Sequence, residues 1–420
     1  MPAHLLIAFS LLASVVCAGD WPMFRGPANQ GVAAGEGYAL NWGPDKHVRW
    51  RVELAGPGNG SPIVIGDRVL LVGATQQGRQ RSLHCFNRSD GSERWSRSVE
   101  FMGTEPTHTT NPYGATTPAT DGERVVVWHG SAGLFCYSVD GDLLWSADTG
   151  SFQHIWGYAT SPVIHDGKVI QQCGPGSRQF VAAFDLQTGE KLWQTDEPNG
   201  SNSDQGRYVG SWATPQIVDV AGQTQILCGL PTRVVALDPA DGRVIWFVRG
   251  VSSDRADLMY TTPLVQDQFA VAFGGFGGPA MGFTLGGSGD VTETNRKWLD
   301  PPQPRQPQRI GSGAIVGDFV YIANADDPGS IDCRDLQTGQ SRWRVRRTGD
   351  GPHWGSIIHA EGRLYAPGQS GVTTVFAPNP EKYEELAIND LGEQTHATPA
   401  FSDGEVFIRT WKALYCIRQP

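Results

Sequence analysis

Short runs of aliphatic and β-branched residues alternate with turns along nearly the whole chain, as in Gly66-Asp67-Arg68-Val69-Leu70-Leu71 and Asp121-Gly122-Glu123-Arg124-Val125-Val126. Runs of this length bounded by turn residues read as strands, and no long stretch keeps a helical periodicity. Many runs are opened by a Ser/Thr-Pro step: Ser61-Pro62, Thr117-Pro118, Ser161-Pro162, Thr214-Pro215, Thr262-Pro263 and Thr398-Pro399. Proline is tolerated as the first residue of a strand, where no ladder donor is needed. A later turn ends in glycine, as in Asp185-Leu186-Gln187-Thr188-Gly189, where glycine supplies a positive φ. Four positions beyond that glycine stands a tryptophan: Gly91/Trp95, Gly141/Trp145, Gly189/Trp193, Gly242/Trp246 and Gly339/Trp343. Trp50 and Trp298 end similar segments without the glycine.

The intervals between Trp50, Trp95, Trp145, Trp193, Trp246, Trp298 and Trp343 run from 45 to 53 residues. A period of roughly 40 to 50 residues is that of propeller blades with four strands each. First strands fall near Pro62, Pro118, Pro162, Pro215, Pro263, Gly313, Ile357 and Pro399. The seventh unit ends in Tyr383 to Ile388 without a tryptophan, and the eighth stops after three strands at Leu414 to Ile417. The chain begins with an orphan fourth strand, His47 to Val52, around Trp50. The pattern therefore predicts an all-β, eight-bladed β-propeller of four-stranded antiparallel blades, its ring closed by the N-terminal strand joining the last blade and thus free of exposed edges. Seven blades is the alternative if the unit at 356–390 is irregular. The expected division is a leader over 1–18, an N-terminal extension over 19–46 and one propeller over 47–420. Phe273 to Gly289 reads as a widened hairpin in blade five, and Asp300 to Gln308 as a stiff linker. The tryptophans are expected to cover neighbouring blades, a structural role.

Composition agrees: glycine (53), proline (28) and tryptophan (14) are abundant, as in folds of many short strands. The formal net charge of -10 argues against nucleic acid or an anionic membrane as partner. Leu5 to Val16 followed by Val16-Cys17-Ala18 has the length and cleavage pattern of a signal peptide, which places the chain in the periplasm or outside the cell. Cys17 lacks the surroundings of a lipoprotein anchor, and no later stretch is long and apolar enough to cross a membrane as a helix. The remaining cysteines do not read as a disulfide framework. Cys85, Cys136, Cys333 and Cys416 share a slot that elsewhere holds Ala183 and Ala236, so they are expected as small, free core residues.

The repeats, with turns such as Leu186-Gln187-Thr188-Gly189-Glu190-Lys191-Leu192-Trp193, resemble the pyrrolo-quinoline-quinone (PQQ) repeat propellers over nearly the whole chain past the leader. The segments Asp20-Trp21-Pro22-Met23-Phe24-Arg25-Gly26-Pro27 and Asn389 to Ile417 are similar to a secreted, BamB-like subgroup of planctomycete-type bacteria. The resemblance implies a fold more than an activity.

In a propeller the loop before each first strand reaches one mouth of the channel. Here those loops carry Asn59, His108, Asn111, Tyr113, His154, Trp156, Tyr158, Trp212, Tyr260, Arg309, His353, Trp354 and His396. They either cap and pack the rim or form a funnel suited to a planar or sugar-like anionic ligand. No metalloprotease, nucleophile-elbow or haem-attachment motif is present, and Gly275-Phe276-Gly277-Gly278 does not open a helix as a nucleotide loop would. The expectation is a monomeric, non-catalytic binding or scaffold propeller recognising a protein, peptide or glycan. No catalytic residue, metal or cofactor is expected. A PQQ-dependent oxidoreductase is one alternative. By family analogy it would need Ca²⁺ held by carboxylates, an aspartate base and adjacent cysteines; the sequence has no adjacent cysteines and few acids in these loops. An outer-membrane protein assembly factor is the other.

Overall fold

The computed structural model describes residues 19–176, 178–197, 208–301 and 307–420. The expected leader and part of the proline-rich linker lie outside the described residues. Eight four-stranded antiparallel blades form a ring. Their innermost strands are Ile63–Ile65, Ala119–Thr120, Val163–His165, Gln216–Val220, Leu264–Gln266, Ala314–Val316, Ile358–Ala360 and Ala400–Ser402, which number the blades 1 to 8. Each begins one residue after the position expected, because the Ser/Thr-Pro step sits just outside the ladder. The unit at 356–390 is a regular blade, which settles the count at eight. Val48–Glu53 pairs antiparallel with Ala413–Arg418 and completes blade 8. Three arginines, Arg49, Arg88 and Arg418, converge on the buried Glu405 beside that seam.

The glycine–tryptophan spacing turns out to serve two neighbours at once. The indole of one blade lies on the glycine of the next blade's third turn: Trp50 on Gly91, Trp95 on Gly141, Trp145 on Gly189, Trp193 on Gly242 and Trp298 on Gly339. A Cβ on any of these glycines would lie less than 3.0 Å from the ring. Each of these indole N–H groups, and that of Trp343, donates to a backbone carbonyl of the same turn at 2.8–3.1 Å. Trp246 is the exception, because blade 5 has no such turn. The connection between Ala280–Thr284 and Arg296–Leu299 is an excursion with a short edge strand, Gly289–Asp290, and one helical turn, Thr292–Asn295. Trp246 instead donates to Gln225 Oε1 at 2.8 Å. The widened hairpin expected over Phe273 to Gly289 is thus two features, a loop at 274–279 and this excursion, with a strand between them. In blade 7 Ala387 takes the tryptophan's register position, and Trp42 of the N-terminal extension packs in the same core cluster.

The Ser and Thr of the strand-opening steps form a ring of hydrogen bonds around the channel. Backbone N–H groups of Ser61, Thr117 and Ser161 donate to the hydroxyls of Thr117, Ser161 and Thr214 at 3.0, 2.9 and 3.2 Å. Those of Thr262, Ser312, Ser356 and Thr398 donate to Ser312, Ser356, Thr398 and Ser61 at 3.0, 3.1, 2.9 and 3.0 Å. The eighth link runs from the Thr262 hydroxyl to the Thr214 carbonyl at 3.3 Å. Ser312 and Ser356 keep the hydroxyl where their steps have lost the proline, because the hydroxyl, not the ring, couples the blades.

The N-terminal extension is woven into the ring. Trp21 exchanges backbone hydrogen bonds with Val64 of blade 1, at 2.8 and 2.9 Å, and Thr120 N–H of blade 2 donates to the Pro22 carbonyl at 2.9 Å. Asn29 donates to Pro215 and Arg25 to Gly313, at 2.9 and 2.7 Å, and Val32–Ala33 pairs with blade 7. The segment therefore crosses one end of the channel from blade 1 to blade 7 and closes it. The six cysteines of the described residues are free and buried, as their slot implied.

Candidate functional site

With one end closed by the extension, the channel is a blind cavity of about 350 Å³ open at the other mouth. Its lining includes Asn59, His108, Asn111, Trp156, Trp212, Tyr260, Trp354 and His396 of the residues expected there. Phe24 of the extension and the hydroxyl-bearing Ser61, Thr117, Ser312, Ser356 and Thr398 form its depth. Phe276, Thr110 and Gln308 add to the polar and aromatic wall, and Ala115, Ala159 and Ile310 are its aliphatic members.

Two aromatic walls face one another, because blades 3 and 4 stand across an eight-fold ring from blades 7 and 8. On one side Trp156 stacks on Tyr208 at 4.7 Å and touches Trp212 and Phe276, both at 5.9 Å, while Trp212 leans on Tyr260 at 5.1 Å. On the other, Trp354 stacks on His396 at 4.5 Å with 13° between the rings, and Trp411 meets His396 edge-on at 5.2 Å. His396 Nδ1 faces the Thr110 carbonyl at 2.8 Å, so Nδ1 carries the proton. Burial lowers its pKa to about 4, and the ring is neutral at physiological pH.

Asn59 and Asn111 are saturated rather than free. Trp411 Nε1 donates to Asn59 Oδ1 at 3.1 Å, and Asn59 donates to the Thr110 carbonyl and to Asn111 Oδ1 at 2.9 and 3.1 Å. Asn111 in turn donates to the carbonyls of Trp156 and Tyr158, at 2.8 and 3.2 Å. This relay joins the loops of blades 8, 1, 2 and 3 and leaves no amide hydrogen for a ligand. Trp156 Nε1, Trp354 Nε1 and the Tyr260 hydroxyl, by contrast, find no acceptor among the described residues, and those three remain to donate.

Five expected residues do not line the cavity. The Tyr113 hydroxyl donates to the Glu105 carbonyl, and its ring lies 5.2 Å from the Arg81 guanidinium. His154 is buried beneath Trp212, ring to ring at 5.0 Å, and burial lowers its pKa to about 4. His353 is fully buried against the Pro367 carbonyl at 3.1 Å, and burial lowers its pKa although Asp350 opposes this. Arg309 is wholly buried over Phe273, 5.2 Å from the ring centre, with Asp300 at 3.5 Å. Tyr158 is likewise buried. Adjacent residues of an extended loop point to opposite sides, so of the pair His353-Trp354 one packs inward and the other faces the channel. With Arg309 withdrawn, no Lys, Arg, Asp or Glu among the described residues lines the cavity. The expected channel cation Arg309 is thus spent within the fold. Phe24 and Phe276 were missed; Phe276 stands in a glycine-rich loop and Phe24 in a segment with no repeat signal.

The family model described as outer membrane protein assembly factor BamB matches residues 79–345. A search of curated proteins finds no match. Among solved structures, the chain is similar to BamB from Moraxella catarrhalis at 14% identity and a TM-score of 0.60, covering 88% of this chain and 96% of that one. It is similar to a europium-containing methanol dehydrogenase at 12% identity and a TM-score of 0.73, covering 96% and 98%. It is also similar to the quinohemoprotein alcohol dehydrogenase of Comamonas testosteroni at 14% identity and a TM-score of 0.64, covering 96% and 81%. At these identities the structural likeness speaks to the fold alone.

Proposed function

The chain belongs to the PQQ-repeat propeller family of the outer membrane protein assembly factor BamB, and on that premise we propose that it is a non-catalytic binding propeller of the periplasm or cell exterior. It recognises its ligand in the blind cavity at the channel mouth. The observation that carries this reading is the chemistry of the lining: aromatic faces, hydroxyls and indole donors, with no Lys, Arg, Asp or Glu among the described residues. Such a surface can hold and orient a ligand. Its described residues offer no carboxylate as base, and the His396 imidazole of its wall is neutral and engaged.

The same lining bears on the cofactor of the dehydrogenases that share the fold. Ca²⁺ takes six to eight oxygens, mostly from carboxylates and carbonyls. Among the described residues no carboxylate reaches the cavity and no cluster of metal-ligating side chains occurs. PQQ is itself a polycarboxylate, and no Lys or Arg of the described residues faces it here. The residues present do not fit that group, and no oxidative step is derived through it. Capture from cell-envelope extract, followed by mass spectrometry, tests the reading. Wild type should retain a ligand that the Trp354→Ala variant loses. Dye reduction after reconstitution with PQQ and Ca²⁺ would overturn it.

The family match over 79–345 supports a second reading, assembly of outer-membrane proteins. Co-purification with barrel-assembly components is the observation that would favour it.

A further inference from the structure

We propose that the cavity is a saccharide site, which takes one uncharged pyranose ring end-on between the two aromatic walls. This inference rests on the binding reading above and names the ligand class for it. The strand-opening hydroxyls supply the independent observation. Ser61, Thr117, Ser312, Ser356 and Thr398 each accept a backbone N–H from the neighbouring blade. None of the five donates its own proton to any acceptor among the described residues. All five line the cavity. A hydroxyl with one lone pair spent in this way keeps one proton and one lone pair. The depth of the cavity therefore presents a crown of groups that both donate and accept.

A sugar hydroxyl also does both, so the crown and a polyol edge are complementary. A carboxylate or a fully ionised phosphate only accepts, and it would bring a charge that no Lys or Arg among the described lining residues compensates, which desolvation penalises. The walls supply the second match. The C–H-bearing face of a pyranose is apolar and weakly positive at its hydrogens, and it packs on the negative face of an indole. Trp354 and Trp156 stand on opposite sides of the axis, each with a free indole N–H at the rim for an outer oxygen. The cavity lies at the small end of the range for small-molecule sites, about 300–1,000 Å³, suited to one ring rather than a folded segment of a protein. Phe24 closes the depth, so a chain of sugars can enter only by its end.

The test is titration of the full chain, followed by tryptophan fluorescence and calorimetry. The probes are glucose, galactose, mannose and N-acetylglucosamine, neutral oligosaccharides ending in them, and the matching uronates and sugar phosphates. At least one neutral pyranose should bind, more tightly than its charged counterpart. Trp354→Ala should weaken binding at least tenfold, and Trp354→Phe, which keeps a stacking face but loses the N–H, by a few-fold. Unfolding curves of both variants confirm that the fold is kept. An oligosaccharide bound at least tenfold more tightly than the monosaccharide identifies a glycan terminus; equal affinities identify a free sugar. Tighter binding of the uronate or phosphate, or no saccharide binding at all, overturns the inference. In that case an envelope ligand still captured by wild type and lost by Trp354→Ala leaves the binding reading intact. Loss of both removes the two together.

Discussion

Replacing Gly189 by alanine isolates the contact that couples one blade to the next. Gly189 has φ of +76°, and a Cβ placed there would lie 2.6 Å from Cδ2 and Cε3 of Trp145. Alanine in this backbone region costs about 1–2 kcal/mol, and overpacking a well-filled contact a further ~1–3 kcal/mol. Gly189→Ala is therefore expected to destabilise by about 2–5 kcal/mol. Gly222 provides the control: its φ is +81°, but a Cβ there meets nothing within 4 Å. Gly222→Ala should cost only the backbone share, about 1–2 kcal/mol. Trp145→Ala alone should cost about 3–5 kcal/mol for a buried tryptophan. Combined with Gly189→Ala it removes the clash, so the double variant should fall short of additivity by about 1–3 kcal/mol. Urea unfolding followed by circular dichroism measures all four. If Gly189→Ala costs no more than Gly222→Ala, or the pair is additive, the glycine serves only its own turn and the inter-blade reasoning fails.

Three further outcomes are expected. Glu405→Gln withdraws the buried anion from Arg49, Arg88 and Arg418. It should cost toward the lower end of about 3–5 kcal/mol, since the arginines are partly hydrated, and should raise hydrogen exchange at Val48–Glu53; unchanged exchange there would refute a role in ring closure. His154 and His396 have pKa values lowered from 6.5 to about 4 by burial. The unfolded chain therefore takes up protons first as pH falls, and stability is full above pH 6.5 and declines until about pH 4, by up to about 3 kcal/mol for each imidazole. The His154→Gln/His396→Gln variant should flatten the dependence of the urea midpoint on pH in that window, and an unchanged slope would contradict the assignment. The six described cysteines are buried, and burial raises the thiol pKa of each, so a thiol reagent should react with none in the native protein and with six after unfolding. Native reactivity would show that their slots are not core.

The blade count and the ring closure were legible because the repeat carries its own punctuation. Trp50 lacks the upstream strands that the other blade-ending tryptophans have, and only pairing with the incomplete last unit supplies them. The role of the step hydroxyls was visible in part: Ser312 and Ser356 survive where proline does not, a sign that the hydroxyl is the constrained feature. The closed end of the channel was not legible. It depends on contacts such as Arg25 with Gly313, 288 residues apart, and no local pattern encodes them. Within the mouth, residue type located the right loops but not the facing side chains. Arg309 and His353 carry the chemistry of a binding site, yet both are spent within the fold, Arg309 by Asp300 of the adjacent linker. That distinction takes Arg309 out of the funnel and changes the class of ligand it suits.

A crystal structure with the tightest-binding neutral sugar of the titration decides whether the channel mouth is a saccharide-binding cavity. A pyranose is expected between Trp354 and Trp156, with oxygens about 2.5–3.0 Å from hydroxyls of the Ser/Thr crown. A sugar found only on the outer surface, or a channel occupied by PQQ and Ca²⁺ carried through purification, would contradict it.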